Sequence, residues 1–190
     1  AQRIVLTEPD LINKIILADS GPKGAIGLSN LPNIIAGSAG LSPEGSYLKF
    51  GFTDSETSIA SGKASYARVH RRMIDRDPML SDAASAAQFT AVLAWAQPDA
   101  GALDEVKAIK KPVLIVHGDQ DLPISIQNAI NMKEHLENAV LLEFPDSGHA
   151  AFYQNYEVFL AKAVAFLAQY SEALSARKSL NNTSYLQSIR

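Results

Sequence analysis

A strand–helix–strand pattern over residues 111–149 constrains the fold of this chain more than any other stretch. The apolar run Val113–Val116 is too short for a buried helix and rich in β-branched side chains, so it predicts a buried parallel strand. Apolar residues at helical spacing over 125–138 predict an amphipathic helix. The apolar run at 140–142 predicts a second strand. The stretch therefore indicates an α/β fold with a parallel sheet.

Acidic and basic side chains follow the two predicted strands at their carboxyl ends. The first strand leads into His117-Gly-Asp119-Gln-Asp121, and the second leads into Pro145-Asp-Ser-Gly-His149. Because open α/β folds bind their ligands at the carboxyl edge of the sheet, these ends are the expected place for chemistry. The pattern therefore predicts a carboxylate and an imidazole at the same rim.

These two segments resemble the closing half of an α/β hydrolase. Pro-Val-Leu-Ile-Val-His-Gly-Asp-Gln-Asp is similar to the strand that carries the acid of the catalytic triad, and Phe-Pro-Asp-Ser-Gly-His-Ala is similar to the histidine loop. The resemblance implies that Asp121 is the acid and His149 the base, which takes a proton from a serine. Asp119 is the competing acid, but we expect it to cap its own tight turn. His117 is expected to be a buried, hydrogen-bonded strand residue.

By the same resemblance, the nucleophile is expected to lie outside this chain. Ala1-Gln-Arg-Ile-Val-Leu, helical until about Thr7, is similar to the helix that leaves the nucleophile elbow, and Lys14–Asp19 is similar to the next strand. The family order of nucleophile, acid and histidine then places the Gly-x-Ser-x-Gly elbow, the oxyanion-hole amides and five strands ahead of residue 1. Gly27-Leu-Ser-Asn-Leu31 is a partial match, but leucine replaces the second glycine, so we expect a loop there.

The expected fold class is α/β, a partial α/β-hydrolase fold with strands six to eight, their flanking helices and an inserted α-helical cap. Residues 1–22 and 106–170 carry the core pattern. Residues 23–105 are rich in alanine, serine and glycine, contain no convincing strand, and are assigned to the cap. Residues 171–190 are assigned to a polar tail. An insertion that packs only on itself is the alternative to a cap that covers the site.

The clearest helix of the predicted cap begins at Ser81, a good N-cap residue, and stops before Pro98. Its bulky apolar residues include Phe89 and Trp95. If the insertion roofs the site, these two side chains and Met73 are candidates for the substrate pocket.

Composition narrows the classes of function. The 190 residues are 47% hydrophobic, enough for one core, and contain no apolar run of about eighteen residues. A net charge of −3 gives no electrostatic reason to expect nucleic acid. The absence of cysteine excludes thiolate chemistry, and the four histidines are dispersed, so no metal or other cofactor is expected. We expect a cytoplasmic protein with a small ester-like substrate and no membrane partner.

The expected function is acyl (ester) hydrolysis by a Ser-His-Asp triad, in the esterase or cofactor-free haloperoxidase-like group. Without its nucleophile the chain should be inactive alone. The strand at Lys14–Asp19, which resembles strand six of the family, would also lack its strand-five neighbour, so we expect self-association or binding of a separate N-terminal portion across that edge. Two alternatives stay open: a non-catalytic binding or regulatory module, and an aspartate-nucleophile enzyme similar to dehalogenases or epoxide hydrolases.

Overall fold

The computed structural model of the protein describes residues 1–168 and contains one parallel sheet in the order β1–β2–β3. The strands are β1 (Ile15–Ala18), β2 (Val113–Gly118) and β3 (Ala139–Phe144). All six residues of the central strand β2 are buried, as expected for a parallel strand covered on both faces. The parallel pairing brings the three carboxyl ends to one rim of the sheet.

Helices connect and cover these strands. They are α1 (Gln2–Thr7), α2 (Leu31–Ala36), α3 (Pro43–Gly51), α4 (Glu56–Val69), α5 (Asp82–Trp95), α6 (Ala102–Ala108), α7 (Ile126–His135) and α8 (Ala151–Gln154). Short 3-10 turns lie at Pro9–Leu11 and Leu28–Asn30. The chain divides into two compact units, Ala1–Asn155 and Tyr156–Arg190, and the described part of the second, residues 156–168, is helical.

The three predicted strands and the main predicted helices are confirmed. Within residues 1–168, four helices begin at serine caps, among them two of the predicted ones: the Ser81 hydroxyl accepts a hydrogen bond from the Ala84 amide, and the Ser125 hydroxyl accepts one from the Gln127 amide. Helix α7 ends at His135, three residues before the predicted end. Leu136 there takes extended backbone and is buried, which turns the chain back towards β3.

The main core lies on the sheet, where α1, α6 and α7 pack against β1 and β2. Its buried members are apolar side chains from all five elements and their connections: Val5, Ile15, Leu17, Val106, Ile109, Val113, Ile115, Ala129, Met132 and Leu136. Burial of this much apolar surface is the main source of stability for such a sheet. Strand β1 lies at the edge of the sheet: β2 pairs with one side of it, and no strand among residues 1–168 pairs with the other side.

Helices and loops fill residues 23–105, between β1 and β2. A second, smaller apolar cluster holds this region together, formed by Ala25, Leu28, Leu31 and Ala96 with Phe50, Phe89, Val92, Trp95 and Ile124 around them. The expected boundary between residues 105 and 106 falls inside α6, and Glu105 pairs with Arg3 of α1 at 3.0 Å. The predicted tail, residues 171–190, lies outside the described residues.

Across residues 1–168, none of the helices combines the length and the apolar character that crossing a membrane requires.

Candidate active site

Asp121 and His149 meet at the carboxyl rim of the sheet. Nδ1 of His149 lies 2.9 Å from Oδ2 of Asp121. The carboxylate is fully buried, whereas the imidazole side chain is 22% exposed. The other ring nitrogen of His149, Nε2, makes no hydrogen bond with any residue of the described part of the chain. The pair thus joins a buried acid to an imidazole whose second nitrogen is free to react.

Both oxygens of Asp121 accept hydrogen bonds. Oδ1 accepts from the Ile124 amide at 2.8 Å, while Oδ2 faces His149 and also lies 3.2 Å from Nε2 of His117. Burial alone would raise the pKa of Asp121, but hydrogen bonds from His117 and His149 outweigh it and lower that pKa below the ordinary value. The carboxylate is therefore ionised at neutral pH.

His117 is a second imidazole on the same carboxylate. It is fully buried in β2, and its Nε2 lies 2.6 Å from the Ile124 carbonyl oxygen. Burial opposes protonation, but the Asp121 carboxylate and that carbonyl favour it more strongly, so the pKa of His117 is raised. The expectation of a fully hydrogen-bonded strand histidine is wrong for one atom, because Nδ1 has no partner within residues 1–168.

Asp19 is a site residue that the sequence analysis did not select. It follows β1, has a left-handed backbone (φ 43°) and is only 5% exposed. Its Oδ1 accepts a 3.2 Å hydrogen bond from the Gly118 amide. Burial, followed by the negative charge of Asp121, raises the pKa of Asp19 to about 7. The signal was available, because Asp19 follows a buried strand just as Asp119 and Asp121 do.

Asp119 joins the acid loop to the histidine loop. Its Oδ1 accepts a 3.2 Å hydrogen bond from the Ser147 amide, so the expectation that it caps its own turn is wrong. The two loops also touch through their backbones. A Cβ atom at Gly118 would lie 2.5 Å from the Gly148 carbonyl oxygen and even closer to that of Ser147. Glycine is therefore required at this crossing.

A group of hydroxyls holds the histidine loop from the other side. The Asp146 carboxylate, on a left-handed backbone (φ 50°), accepts hydrogen bonds from Thr53 (2.6 Å), Ser55 (2.6 Å) and Thr57 (2.7 Å). These hydroxyls, with that of Ser55 contributing most, lower the pKa of Asp146. We call these four side chains the hydroxyl clasp. It anchors the loop to the connection between α3 and α4, three residues before His149.

An apolar cavity of about 520 Å³ lies near the pair. Its apolar lining comes from Leu31, Ile35, Phe50, Ala86, Phe89 and Val92. Phe50 also contacts His149 directly, with ring centroids 5.1 Å apart and the planes at 90°. A second cavity, of about 680 Å³ and with both charged and apolar residues in its lining, is lined partly by Asp119 and Asp121. The Phe50 side chain therefore connects the His149 imidazole to the apolar cavity.

The three pocket candidates from the sequence have different positions. Phe89 lines the apolar cavity. Trp95 lines a neighbouring cavity of about 320 Å³, and its indole Nε1 lies 3.4 Å from the Gly21 carbonyl oxygen. Met73 is 76% exposed in the segment between α4 and α5, so its selection was wrong. Its apolar character did not correspond to a helical face, since α4 ends at Val69.

Ligand-type atoms of Asp19, His117 and Asp121 lie within 4.8 Å of one another. This spacing also occurs in metal sites, but the oxygens of Asp121 already accept N–H groups and Nε2 of His117 faces the Ile124 carbonyl. A cation would compete with these protons for the same lone pairs. At Asp121 and at Nε2 of His117, the contacts are those of a hydrogen-bonded acid–base group.

Comparison with known proteins agrees with this geometry. The family model of the alpha/beta hydrolase fold matches residues 1–156. The AB hydrolase superfamily protein YisY of Bacillus subtilis is 36% identical over 69 residues, which cover 36% of this chain and 24% of that protein.

Solved structures show the same fold. An alpha/beta hydrolase fold protein from Chitinophaga pinensis superposes with a TM-score of 0.83 and 32% identity over 87% of this chain and 60% of that one. A serine hydrolase from Cycloclasticus (TM-score 0.58, 18% identity, 88% and 59%) and a 2-hydroxy-6-oxo-6-phenylhexa-2,4-dienoate hydrolase from Rhodococcus (0.53, 14%, 87% and 59%) share the fold alone. The chain thus spans about 60% of the length of these structures. Since the family model matches most of its residues, the chain belongs to the alpha/beta hydrolase fold family.

Proposed function

We propose that this chain supplies the acid and the base of a serine-type acyl (ester) hydrolase. The observation that carries the proposal is the 2.9 Å hydrogen bond between His149 Nδ1 and a buried, ionised Asp121, with Nε2 of the same ring unbonded. The same arrangement of acid, imidazole and open nitrogen defines the working half of a catalytic triad.

The hydrogen bond at Nδ1 of His149 decides which ring nitrogen can accept a proton. The Asp121 carboxylate accepts the Nδ1–H of His149, so the lone pair of the neutral ring lies on Nε2. There it takes the proton of an attacking hydroxyl and later returns it to the leaving alcohol. Because Asp121 is buried, its charge stabilises the transient imidazolium more strongly than it would in water.

The attacking serine would come from a segment outside these 190 residues. The sequence contains no Gly-x-Ser-x-Gly, and Ser29 of the partial match is exposed in the 3-10 turn Leu28–Asn30. A nucleophile elbow needs a sharp strand-to-helix turn, which that position lacks. We further propose that the incoming segment pairs with the free edge of β1, and that the chain alone does not turn over esters.

The substrate class we propose is a small, uncharged ester with an apolar acyl or alcohol group. The apolar cavity of about 520 Å³ lies in the usual size range for small-molecule sites and carries no charged lining residue. Phe50 lines this cavity and contacts the His149 ring, so a group bound there would be held beside the reacting nitrogen. Residues 23–105 would then act as the cap over the site.

The proposal is tested by joining this chain to a segment that contains Gly-x-Ser-x-Gly and measuring the ester hydrolysis of the joined protein. We expect hydrolysis of 4-nitrophenyl acetate and butyrate, and labelling of the added serine by a fluorophosphonate, which would not label an aspartate nucleophile. His149→Ala and Asp121→Asn should each lower kcat by about 10³- to 10⁴-fold. The matched controls His135→Gln, on α7, and Asp104→Asn, exposed on α6, should change it less than about threefold.

Two results would contradict the proposal. One is ester hydrolysis by the joined protein that survives His149→Ala. The other is full activity of the 190-residue chain alone. Binding of an ester analogue without turnover in the joined, folded protein would favour the binding-module alternative.

A further inference from the structure

A second carboxyl group lies behind the Asp121–His149 pair. Asp19 is held there by its own backbone, since its amide donates to the Val116 carbonyl at 2.8 Å, and by the Gly118 amide on its Oδ1. Its Oδ2 has no hydrogen-bond partner within residues 1–168, although the residue is 95% buried. Burying an oxygen without a hydrogen-bond partner costs free energy, so its presence at the site calls for an explanation.

The charged groups facing Asp19 all belong to the site. They are His117 from β2, Asp121 from the loop after β2, and His149 from the loop after β3. Two carboxyl groups and two imidazoles therefore share one buried cluster. Nδ1 of His117 is likewise unpartnered, so the cluster holds fewer hydrogen-bonded protons than it can bind. Asp19, His117 and Asp121 in this cluster titrate together, not as independent residues.

We propose that Asp19 is a positioning residue that sets the charge of the cluster around Asp121. When Asp19 is protonated, the Asp121 carboxylate is the one negative charge that faces the two imidazoles. When Asp19 releases the proton to solvent, a second negative charge joins the cluster and strengthens the hold on a protonated imidazole. The raised pKa of Asp19, about 7, would place this change near neutral pH. Its effect on turnover rests on the proposed function, whereas the charge change itself does not.

Nuclear magnetic resonance of the 190-residue chain tests the charge change without any turnover. In the unaltered chain, the side-chain carboxyl carbon of Asp19 should titrate near neutral pH. In Asp19→Asn, the midpoint of the His117 ring resonances should fall by roughly one pH unit, since a nearby unit charge in a protein interior has an effect of that order. Asp104→Asn makes the same change in net charge at an exposed position and should leave the His117 midpoint in place.

The inference is overturned if the Asp19 carboxyl titrates with the exposed aspartates below pH 5. It is also overturned if a folded Asp19→Asn chain leaves the His117 midpoint unchanged. Should that variant not fold, the carbon titration of the unaltered chain decides alone. In the joined enzyme, Asp19→Asn should alter the pH profile of kcat while substrate KM is retained. Because the resonances are read from the isolated chain, inactivity of the joined enzyme would refute the proposed function and leave this inference standing.

Discussion

Thr53 Oγ1 donates a 2.6 Å hydrogen bond to Oδ1 of Asp146, 93 residues further along the chain. This bond joins the α3–α4 connection to the loop that presents His149. The other two hydroxyls of the clasp reinforce it, and the Ala150 amide adds a 2.8 Å hydrogen bond to the Gly51 carbonyl. The position of the imidazole therefore depends on residues far from it in sequence.

Asp146→Ala should lower the melting temperature and speed amide hydrogen exchange in residues 145–150, because three hydroxyls lose their acceptor. Asp54→Ala, in the same connection and exposed, is the matched control and should change neither. Because the pKa of Asp146 is lowered, the stability that the hydroxyl clasp contributes depends on pH. It is present above the unfolded value of about 3.9 and is lost as the pH falls through the folded pKa. Equal exchange rates in both variants would count against the clasp.

Gly118→Ala should destabilise the protein by about 1–3 kcal/mol, the usual cost of inserting a methyl group where there is no room. The added Cβ would meet backbone carbonyls of the histidine loop, which cannot rotate away as a side chain can. Gly37→Ala is the control, since Gly37 has φ −66° and its nearest contacts are at 3.4 Å. It should stay within about 0.5 kcal/mol. Urea unfolding measures both, and equal stabilities would contradict the backbone contact.

The free energy of unfolding should depend on pH in opposite directions for the two carboxyls of the site. Asp121, with a lowered pKa, contributes stability above about pH 3.9 that is lost as the pH falls through its folded pKa. Asp19, with a raised pKa, contributes stability below about pH 3.9 that is lost as the pH rises to about 7. His117, also raised, contributes below about pH 6.5 and loses this as the pH rises through its folded pKa.

Two variants separate these contributions. Asp19→Asn should flatten the fall in stability between about pH 4 and 7. Asp121→Asn should instead remove the negative charge that stabilises protonated His117, so the variant should lose most stability, relative to the unaltered chain, between about pH 4 and 6.5. Denaturant unfolding at five or six pH values measures both. Parallel curves for all three proteins would show that neither carboxyl titrates differently on folding.

The free edge of β1 should make the chain associate. The amides of Ile15 and Asp19 point to β2, so by alternation those of Ile16 and Ala18 point outward. Sedimentation at micromolar concentration should show a dimer or larger species. Ala18→Pro removes one outward donor and should shift the distribution to monomer, while circular dichroism reports whether the variant folds. A compact monomer of the unaltered chain at all concentrations would refute the expectation.

The sheet and its helices were predictable because their signals are local. Val113–Val116, the serine cap at Ser81 and the helical spacing of apolar residues over 125–138 indicate element type within a few residues of sequence. The meeting of Asp121 and His149 was predictable for a related reason. Each follows a strand of one parallel sheet, and parallel strands end at one rim.

The remaining contacts depend on how loops approach one another, which no local pattern encodes. Asp119 binds the Ser147 amide instead of its own turn because the two loops cross at Gly118. The pKa of Asp19 is raised by burial and by the negative charge of Asp121, about a hundred residues away in sequence. Met73 failed as a pocket residue because hydrophobicity alone does not place a side chain in the interior.

The backbone crossing at Gly118 has a consequence for assembly. Since the acid loop and the histidine loop are locked together within residues 1–155, contacts within this chain alone orient the imidazole. A polypeptide that brings a hydroxyl group to this imidazole would bind a site that is already ordered. The conformational entropy lost on binding would then be that of the added polypeptide alone.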